Sequence, residues 1–390
     1  MRRRLCTRPP SWPLIPEPAI ISPTPAKPRI LYVCCERIVP GSAAATHVLE
    51  ICEGLERRGY PVRLQSERGD SRSGLGGQLG RYARITVAAL KALRQADLVY
   101  FRSHFAAFPI ALAAKLLGKP TIQEINGVYA EAFVTHPRFR RLKGILSTLQ
   151  RWQYRWASAL IAVTPELVAW GSSEAGHARA HHVGNGANTK VFTPHGPRAQ
   201  RDRPYAFFFG GMTRWHGVEV MLQAARSPAW PKGVDLLMAG PVVDESLRSA
   251  LRDALPPVTW LDRVPQPELP ALIRGSVAAL VPSVDPSGIT VHGITPLKLF
   301  EMLACGRPVV VSDFRGMADL VRSGACGLVV PSGDPEALAG AVARLAADAS
   351  EAQAMGEAGA RLIAASHSWD VRAAETAAVI DQVVAQPIRR

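Results

Sequence analysis

The sequence contains no run of 18 or more uncharged apolar residues, so it predicts no membrane-spanning helix. Its six cysteines show no metal-ligand spacing, which argues against a zinc or iron site and fits a reducing, cytoplasmic setting. The first 28 residues lack a continuous apolar segment and carry three consecutive arginines followed by eight prolines. They predict a disordered, basic, proline-rich tail and not a signal peptide.

Length and charge narrow the class of protein further. A chain of 390 residues is too long for one ordinary hydrophobic core and suggests two domains. Its net charge of +14 suits a nucleic acid, an anionic membrane surface or a phosphorylated substrate. No recognised nucleic-acid-binding module or aromatic stacking platform accompanies the charge, so nucleic-acid binding stays the alternative interpretation.

Strand-like and helix-like segments alternate along most of the chain, which predicts an α/β protein with parallel sheets. We expect a Rossmann-like domain over 29–196, a charged linker over 197–204 and a second Rossmann-like domain over 205–370. A C-terminal helix over 371–390 is a candidate for packing back on the first domain. The Gly- and Ser-rich stretch 69–80 predicts a loop. Two such domains face to face would enclose a cleft at the carboxyl ends of their strands.

The segment 296–313 (PLKLFEMLACGRPVVVSD) holds the most specific polar pattern. It predicts an apolar helix with Thr295 as the N-cap and Pro296 in the first turn. Lys298 and Glu301 share one face of this helix. A carboxylate can accept hydrogen bonds from the two hydroxyls of a ribose, and a lysine near a helix N-terminus suits a diphosphate. The alternative is a surface ion pair worth about 0.3 kcal/mol, against which the apolar neighbours argue.

A second candidate site lies where a strand ends in Gly210 and Gly211 and a helix follows. A turn of this kind exposes backbone N–H groups that attract phosphate, and Arg214 and His216 would add donors. Neither G-x-G-x-x-G nor a Walker motif is present, so the alternative is an ordinary tight turn.

These motifs together resemble the retaining family 4 glycosyltransferases of the two-domain GT-B fold. The segment 296–313 is similar to that family's P-L-K-L-F-E-x-M-A-x-G-x-P-V-V-x-S-D block. The stretch 209–219 resembles its strand glycine followed by a Lys-Gly pair, and 183–194 resembles its V-x-N-G-x-D-x-x-x-F-x-P passage. The resemblance extends over most of the chain after the tail.

The resemblance implies a nucleotide-sugar donor held mainly by the C-terminal domain, with no metal and no cofactor besides this co-substrate. Glu301 would bind the donor ribose, while Arg214, His216 and Lys298 would stabilise the charge of the diphosphate. Further residues at matching positions would shape the donor site: Gly210, Gly211, Gly240, Arg263, Thr295 and Leu297.

The sequence departs from the family pattern at three donor-side positions. Gly293 stands where the first acid of the family's Glu-x7-Glu pair would be, so the sugar contacts of that acid are in question. Gly211 stands where the family usually has arginine, and His216 where it usually has lysine. Because an imidazole is only partly protonated near neutral pH, we expect a pH-dependent rate from His216.

The N-terminal domain would bind the acceptor. Its candidate residues follow predicted strands or open the first helix: Gly41, Ser42, His47, His104 and Asn126. His47 could face either the cleft or the core. Asn126 stands where the family often has histidine, so no catalytic imidazole is predicted there.

The stretch from His136 to Trp156 contains six basic residues and no acid, and its apolar residues recur at about helical spacing. This pattern is typical of an amphipathic helix at an anionic membrane surface. In the alternative, its apolar face packs on the sheet and its basic side chains are solvated.

The sequence therefore predicts a cytoplasmic, peripherally membrane-associated glycosyltransferase. It would move a sugar from a nucleotide donor, with retention of configuration, to a lipid-linked or polysaccharide acceptor of the cell envelope. The alternatives are a basic nucleic-acid-binding protein and a GT-B relative such as a sugar-nucleotide epimerase. The sugar, the nucleotide base and the acceptor stay open.

Overall fold

The computed structural model of the protein describes residues 26–68, 74–130, 133, 137–285 and 292–386. Of the predicted tail, only residues 26–28 fall within these ranges. Two six-stranded parallel sheets form the framework, one on each side of the predicted linker. Across the described ranges, no helix has both the length and the apolar character that crossing a bilayer requires.

The first sheet is built from β1 (Ile30–Ile38), β2 (Val62–Arg68), β3 (Leu98–Arg102), β4 (Thr121–Ile125), β5 (Ala159–Ala162) and β6 (Ala180–His182). Its strand order is β2-β1-β3-β4-β5-β6. Strands β3 and β4 are buried along their whole length, as expected of central strands in a parallel sheet that helices cover on both faces. The order reverses between β1 and β3, where such sheets open a crevice for ligands.

The second sheet is built from β7 (Tyr205–Phe209), β8 (Asp235–Ala239), β9 (Val258–Leu261), β10 (Ala278–Val281), β11 (Val309–Ser312) and β12 (Gly327–Val330). Its order is β12-β11-β10-β7-β8-β9, which reverses between β7 and β10. The carboxyl end of β7 carries the predicted Gly210-Gly211 turn, so that turn lies at the reversal.

Helices cover both sheets and connect their strands. Those of the N-terminal half are α1 (Ala43–Arg57), α2 (Leu75–Leu93), α3 (Phe108–Leu116), α4 (Lys143–Trp156) and α5 (Pro165–Ala175). Those of the C-terminal half are α6 (Val218–Ala224), α7 (Arg248–Arg252), α8 (Leu269–Gly275), α9 (Leu297–Ala304), α10 (Met317–Gly324), α11 (Pro335–Ala347), α12 (Ala349–Ser366) and α13 (Trp369–Ala385).

The predicted loop over 69–80 is wrong from residue 75 onward, because α2 begins there. Residues 69–73 lie outside the described ranges. Each glycine inside a helix costs roughly 1 kcal/mol relative to alanine. Burial outweighs that cost, since Ile85, Ala89 and Leu93 recur every four residues and pack in one core with Leu31 and Val33 of β1.

The last helix returns to the first domain. Trp369, Ile380 and Val383 of α13 share a hydrophobic core with Ile30 of β1 and Val48 of α1. The chain therefore crosses between the domains twice, once through the linker and once before α13. Residues 387–390 of the predicted helix lie outside the described ranges.

Candidate active site

A cavity of about 760 Å³ lies between the two domains, at the carboxyl ends of both sheets. The N-terminal half lines it with Pro40, Gly41, Ser42, Ala43, Thr46, His47, Arg102, Asn126, Gly127, Val163, Thr164, Leu167, Asn185 and Phe192. The C-terminal half lines it with Phe209, Gly210, Gly211, Trp215, His216, Val264, Gln266, Leu269, His292, Gly293, Ile294, Thr295, Pro296, Leu297, Lys298 and Glu301. Most of the predicted site residues are thus brought together.

Helix α9 supplies the central polar groups on the donor side. Every residue from Leu297 to Ala304 is buried. The predicted start of this helix is wrong by one position, because Pro296 has extended backbone angles and forms the N-cap, while Thr295 precedes it. The Thr295 hydroxyl lines the cavity, and its oxygen is buried without a hydrogen-bond partner among the described residues.

The Lys298 ammonium is buried and has no hydrogen-bond partner in the part of the chain that the structure describes. Its Nζ lies 4.4 Å from the centre of the Phe208 ring. Burial lowers the pKa of Lys298 to about 7, against the opposing effect of Glu301. Because a buried cation without a partner is costly, this position is suited to an anionic ligand.

Gly210 is required for that arrangement. Its φ of +138° belongs to a region that L side chains rarely adopt. A Cβ atom added there would also lie 2.7 Å from the Lys298 Nζ. The glycine therefore lets the ammonium reach the strand end beside the cavity.

Glu301 lies one helical turn after Lys298 and is equally buried, with 8% of its surface exposed. Burial raises the pKa of Glu301 to about 7, and Lys298 counteracts that rise. Since the Lys298 Nζ has no hydrogen-bond partner, the two groups are not hydrogen-bonded to each other. The surface ion pair considered from the sequence is therefore absent, and each group lines the cavity separately.

His216 lines the cavity, with its Nδ1 2.6 Å from the Gly211 carbonyl oxygen. That oxygen can only accept, so Nδ1 carries the proton. Burial and the neighbouring Lys298 lower the pKa of His216 to about 3. The expectation that His216 is partly cationic near neutral pH is therefore wrong for the protein without a ligand, in which the ring is neutral.

Three other donor-side residues do not line the cavity. Arg214 is 59% exposed, and its Nε lies 3.6 Å from an Asp244 carboxylate oxygen. Arg263 is exposed, although Val264 and Gln266 just after it line the cavity. Gly240 packs against the Gly210 backbone, where a Cβ atom would lie 2.1 Å from the carbonyl oxygen.

The acceptor-side residues divide in a similar way. Gly41, Ser42 and Asn126 line the cavity, and the Ser42 hydroxyl caps α1 by accepting from the Ala45 N–H at 3.2 Å. His47 lines it too, although it is 95% buried, so the cleft and the core alternatives both hold. His104 lies elsewhere: its Nδ1 accepts from the Ala106 N–H, and burial lowers its pKa to about 4.

Glu124, next to the last residue of β4, was missed from the sequence. It does not line the cavity itself but contacts three acceptor-side residues that do, namely His47, Arg102 and Asn126. Its carboxylate accepts from Tyr100 at 2.7 Å, Asn126 at 2.6 Å and Arg102 at 3.1 Å. The His47 Nε2 also lies 3.1 Å away. Burial alone would raise the pKa of Glu124, but His47 and Arg102 hold it well below its usual range.

Asn185 links this cluster to the donor side. Its side-chain oxygen lies 3.1 Å from the His47 Nδ1, and its nitrogen donates to the Thr295 carbonyl at 2.8 Å. Thr164 makes a second link, because its hydroxyl donates to the His292 carbonyl at 2.7 Å. These bonds hold the segment before α9 against the N-terminal domain. The only sequence signal for Glu124 was an acid near the carboxyl end of a predicted strand.

Gly293 lines the cavity in a backbone conformation with a φ of +73°. A Cβ atom there would lie 2.9 Å from Oε2 of Glu166, a buried oxygen without a hydrogen-bond partner among the described residues. The acid that the sequence lacks at 293 would therefore meet another acid. Over the described ranges, no group of three or more His, Cys, Asp or Glu side chains could hold a metal ion.

Two family models match the chain, one in each domain. The model described as Glycosyltransferase Family 4 matches residues 44–191, and the one described as Glycosyl transferases group 1 matches residues 203–348. Together they cover most of the chain.

A curated relative, the alpha-maltose-1-phosphate synthase of Mycolicibacterium smegmatis, is 31% identical over 232 residues. The matched part is 53% of this chain and 58% of that protein, so the chain spans little more than half the length of this relative.

Solved structures are similar over nearly the whole chain. The sucrose-phosphate synthase from Thermosynechococcus elongatus has a TM-score of 0.73 at 17% identity, with 91% of this chain and 99% of that chain covered. HepE of Anabaena, solved in complex with UDP-glucose, has a TM-score of 0.66 at 15% identity, with 91% and 98% covered. At such identities the likeness concerns the fold, and it confirms the predicted two-domain GT-B class.

Proposed function

Since this chain belongs to the family 4, group 1 glycosyltransferases, we propose that it transfers a sugar from a nucleotide-sugar donor to an acceptor bound in the interdomain cavity. The observation that carries the proposal is Lys298, which lines this cavity and whose buried ammonium has no hydrogen-bond partner among the described residues. A diphosphate would supply the missing anion. HepE, which has a similar fold, was solved in complex with UDP-glucose, and this supports a nucleotide sugar as the donor.

In this proposal, α9 and the β7 turn bind the donor. Lys298 stabilises the negative charge that grows on the leaving diphosphate, at a site preorganised by Gly210. Glu301, one turn further along α9, accepts hydrogen bonds from the ribose hydroxyls. The neutral His216 donates from Nδ1 to the Gly211 carbonyl oxygen. Its Nε2 is then free to accept a hydrogen bond from a hydroxyl group of the nucleotide sugar.

The family resemblance supports transfer with retention of configuration. The bond between the anomeric carbon and the phosphate oxygen breaks while the acceptor oxygen bonds to the same face of the sugar. The proton of the acceptor hydroxyl goes to the leaving phosphate oxygen. No side chain is needed as a base, which agrees with the neutral amide of Asn126 at the acceptor side of the cavity.

A lipid-linked acceptor at the cytoplasmic face of a membrane is supported by the outer surface of α4. Leu142 and Ile145 are 47% and 62% exposed, and Trp152 is 42% exposed. Arg140 and Arg141 beside them are exposed as well. Helix α4 begins only at Lys143, because residues 137–142 form a 3-10 segment. Its other end packs inward, since Tyr154 is buried. The packing alternative therefore holds there, and binding of the exposed part to a membrane stays a proposal.

The membrane proposal is tested with vesicles that contain anionic lipid. We expect an Ile145→Ser/Trp152→Ser variant, or one with Arg140 and Arg141 neutralised, to bind these vesicles more weakly than the unchanged protein. The matched control is Leu255→Ser, because Leu255 is 78% exposed in the other domain. Equal vesicle binding by all variants would contradict the membrane proposal.

The donor proposal is tested by thermal unfolding with UDP-, GDP- and ADP-sugars. A ligand at a hundred times its Kd raises the melting temperature of a domain of this size by roughly 5 °C or more. We expect one nucleotide class to do so, to be hydrolysed slowly, and to lose its effect in Lys298→Met. Lys232→Met, at an exposed lysine of the same domain, is the control. No stabilisation by any nucleotide sugar, together with tight salt-sensitive binding of DNA or RNA, would favour the nucleic-acid alternative.

A further inference from the structure

A second cavity, of about 560 Å³, opens beside the first. His292 lines both, and the loop after β4 lines the first cavity with Asn126 and Gly127 and the second with Val128 and Tyr129. The two cavities are therefore adjacent and share His292.

One wall of the second cavity is aromatic. The ring centres of Tyr129 and Trp170 are 5.3 Å apart, and those of Trp170 and His292 are 6.0 Å apart. All three side chains are partly exposed, so part of each ring surface is accessible. Aromatic rings in such a row offer an apolar surface on which the C–H face of a pyranose can pack.

The aromatic wall is held in place by a partly buried polar contact. The Tyr129 hydroxyl donates to the Glu174 carboxylate at 2.6 Å, and the Arg151 Nε donates to the same oxygen at 2.9 Å. Glu174 is therefore engaged by two donors. A rigid wall of this kind costs little conformational entropy when a ligand packs against it.

A second wall is one face of α4, which adjoins the aromatic wall at Arg151. Lys143, Ser147 and Arg151 recur every four residues along the helix and line the cavity, with Thr148 next to them. This face offers an ammonium and hydroxyl groups to a ligand. Lys143 is exposed and lies in the first turn of the helix, where the helix dipole also favours an anion.

We propose that the second cavity is an acceptor subsite for a pyranose ring that carries an anionic group such as a phosphate. The ring would pack on Trp170 and Tyr129, and the anion would lie near Lys143. The inference rests on the proposed function, because the molecule in this cavity would be part of the acceptor that reacts in the first one. It also gives α4 two roles, since Ile145 and Trp152 lie on its exposed side and Ser147 on its cavity side.

Ligand-observed NMR titration with glucose 1-phosphate, glucose 6-phosphate and mannose 6-phosphate tests this subsite. We expect at least one of these probes to bind the full chain. Its Kd should rise at least about tenfold in Lys143→Ala, which changes an exposed residue, and in Ser147→Trp, which fills the cavity. Trp152→Ala on the exposed side of α4 should leave the Kd unchanged. Lys298→Met should also leave it unchanged, because that lysine lies in the first cavity.

Failure of all three probes to bind would overturn the proposal, as would binding that Lys143→Ala and Ser147→Trp leave unchanged. Loss of binding in Lys298→Met would place the probe in the first cavity and would overturn it too. These outcomes are separate from the thermal unfolding test, since a nucleotide sugar can stabilise the protein whether or not a hexose phosphate binds. The failure of this inference is thereby distinguishable from the failure of the proposed function.

Discussion

The two sides of the interdomain cavity differ in the pairing of a buried charged group, which has several partners on the N-terminal side and, among the described residues, no hydrogen-bond partner on the C-terminal side. On the N-terminal side, the Glu124 carboxylate is surrounded by Arg102, Asn126, Tyr100 and His47, all within 3.1 Å. On the C-terminal side, the Lys298 ammonium is equally enclosed by protein and has no hydrogen-bond partner in the described part of the chain. Buried polar groups that are hydrogen-bonded to each other stabilise one conformation, whereas a buried polar group without a partner can bind a ligand.

This contrast separates stability from activity. With Tyr32 of β1, whose hydroxyl donates to Glu124 at 3.3 Å, the N-terminal cluster joins residues of three strands and one helix, so its loss should affect folding. The C-terminal pair costs free energy in the absence of a ligand, so its removal should affect binding and catalysis and leave folding intact.

The largest effect on stability is expected from Glu124→Gln. Removing this charge leaves Arg102 with only the more exposed Glu36 as a counterion and changes the acceptor 3.1 Å from the His47 Nε2. The free energy of unfolding should fall by about 3–5 kcal/mol. Urea or guanidinium denaturation measures it. Glu67→Gln is the control, since the exposed pair of Glu67 with Arg84 should be worth no more than about 1 kcal/mol. Equal losses in the two variants would show that the cluster is not structural.

For Lys298→Met we expect a large loss of activity without a loss of stability. Activity, measured as kcat/KM on the stabilising nucleotide sugar, should fall by about 100-fold or more because the leaving diphosphate loses a preorganised cation. The free energy of unfolding should stay the same or rise, because an uncompensated buried charge is removed. A clear loss of stability with little loss of activity would assign Lys298 a structural role and would reverse the comparison.

A smaller effect is expected when the missing acid is restored. Gly293→Glu should lower the free energy of unfolding by about 1–3 kcal/mol, since it forces a side chain into a left-handed backbone conformation. The Glu166 oxygen 2.9 Å from the Cβ position adds a steric and a charge conflict. Gly333→Glu is the control, because Gly333 has a similar φ of +76° and open space around it. A variant that gains activity without losing stability would contradict this account.

A pH dependence of stability is also expected from the C-terminal pair. The pKa of Glu301 is raised from 4.5 to about 7, so between these values the folded state holds a proton that the unfolded chain has released, and stability falls as pH rises. The pKa of Lys298 is lowered from 10.5 to about 7, so above pH 7 the unfolded chain holds the extra proton and stability rises. This pair should therefore contribute a minimum of stability near pH 7.

Denaturation between pH 5 and 9 tests whether the pair lowers the unfolding free energy most near pH 7. The difference in unfolding free energy between the unchanged protein and Lys298→Met/Glu301→Gln should be most unfavourable to the unchanged protein near pH 7. A difference that does not vary with pH would show that neither group titrates in this range. Saturation with the nucleotide sugar should remove the minimum, since the ligand pairs both groups.

Local pattern was enough to find the donor helix but not to find the acceptor cluster. Lys298 and Glu301 stand out in the sequence because their neighbours on the helix are apolar. Charged side chains are not expected in a helix whose other residues predict burial. Glu124 does not stand out, since a single acid at the end of a strand is common. Its partners Tyr32, His47 and Tyr100 lie up to 92 residues away in the chain, and the residues next to Glu124 do not predict these contacts.

The same reasoning explains Arg214 and His104. Both follow a strand end, which is the functional edge of a parallel sheet, and both were therefore expected at the cavity. Whether a side chain there faces the ligand depends on the path of the following loop. That path turns Arg214 toward Asp244 and places His104 as the cap of a 3-10 segment.

The sequence by itself determined the alternation of strands and helices, the two-domain division and the polar pair on α9, since each is a pattern of burial within a short segment. Only the tertiary structure decided which buried charges are paired, which strand-end residues reach the cavity and that a second cavity adjoins it. Pairing depends on distances between segments far apart in the chain, and composition within a segment does not encode them.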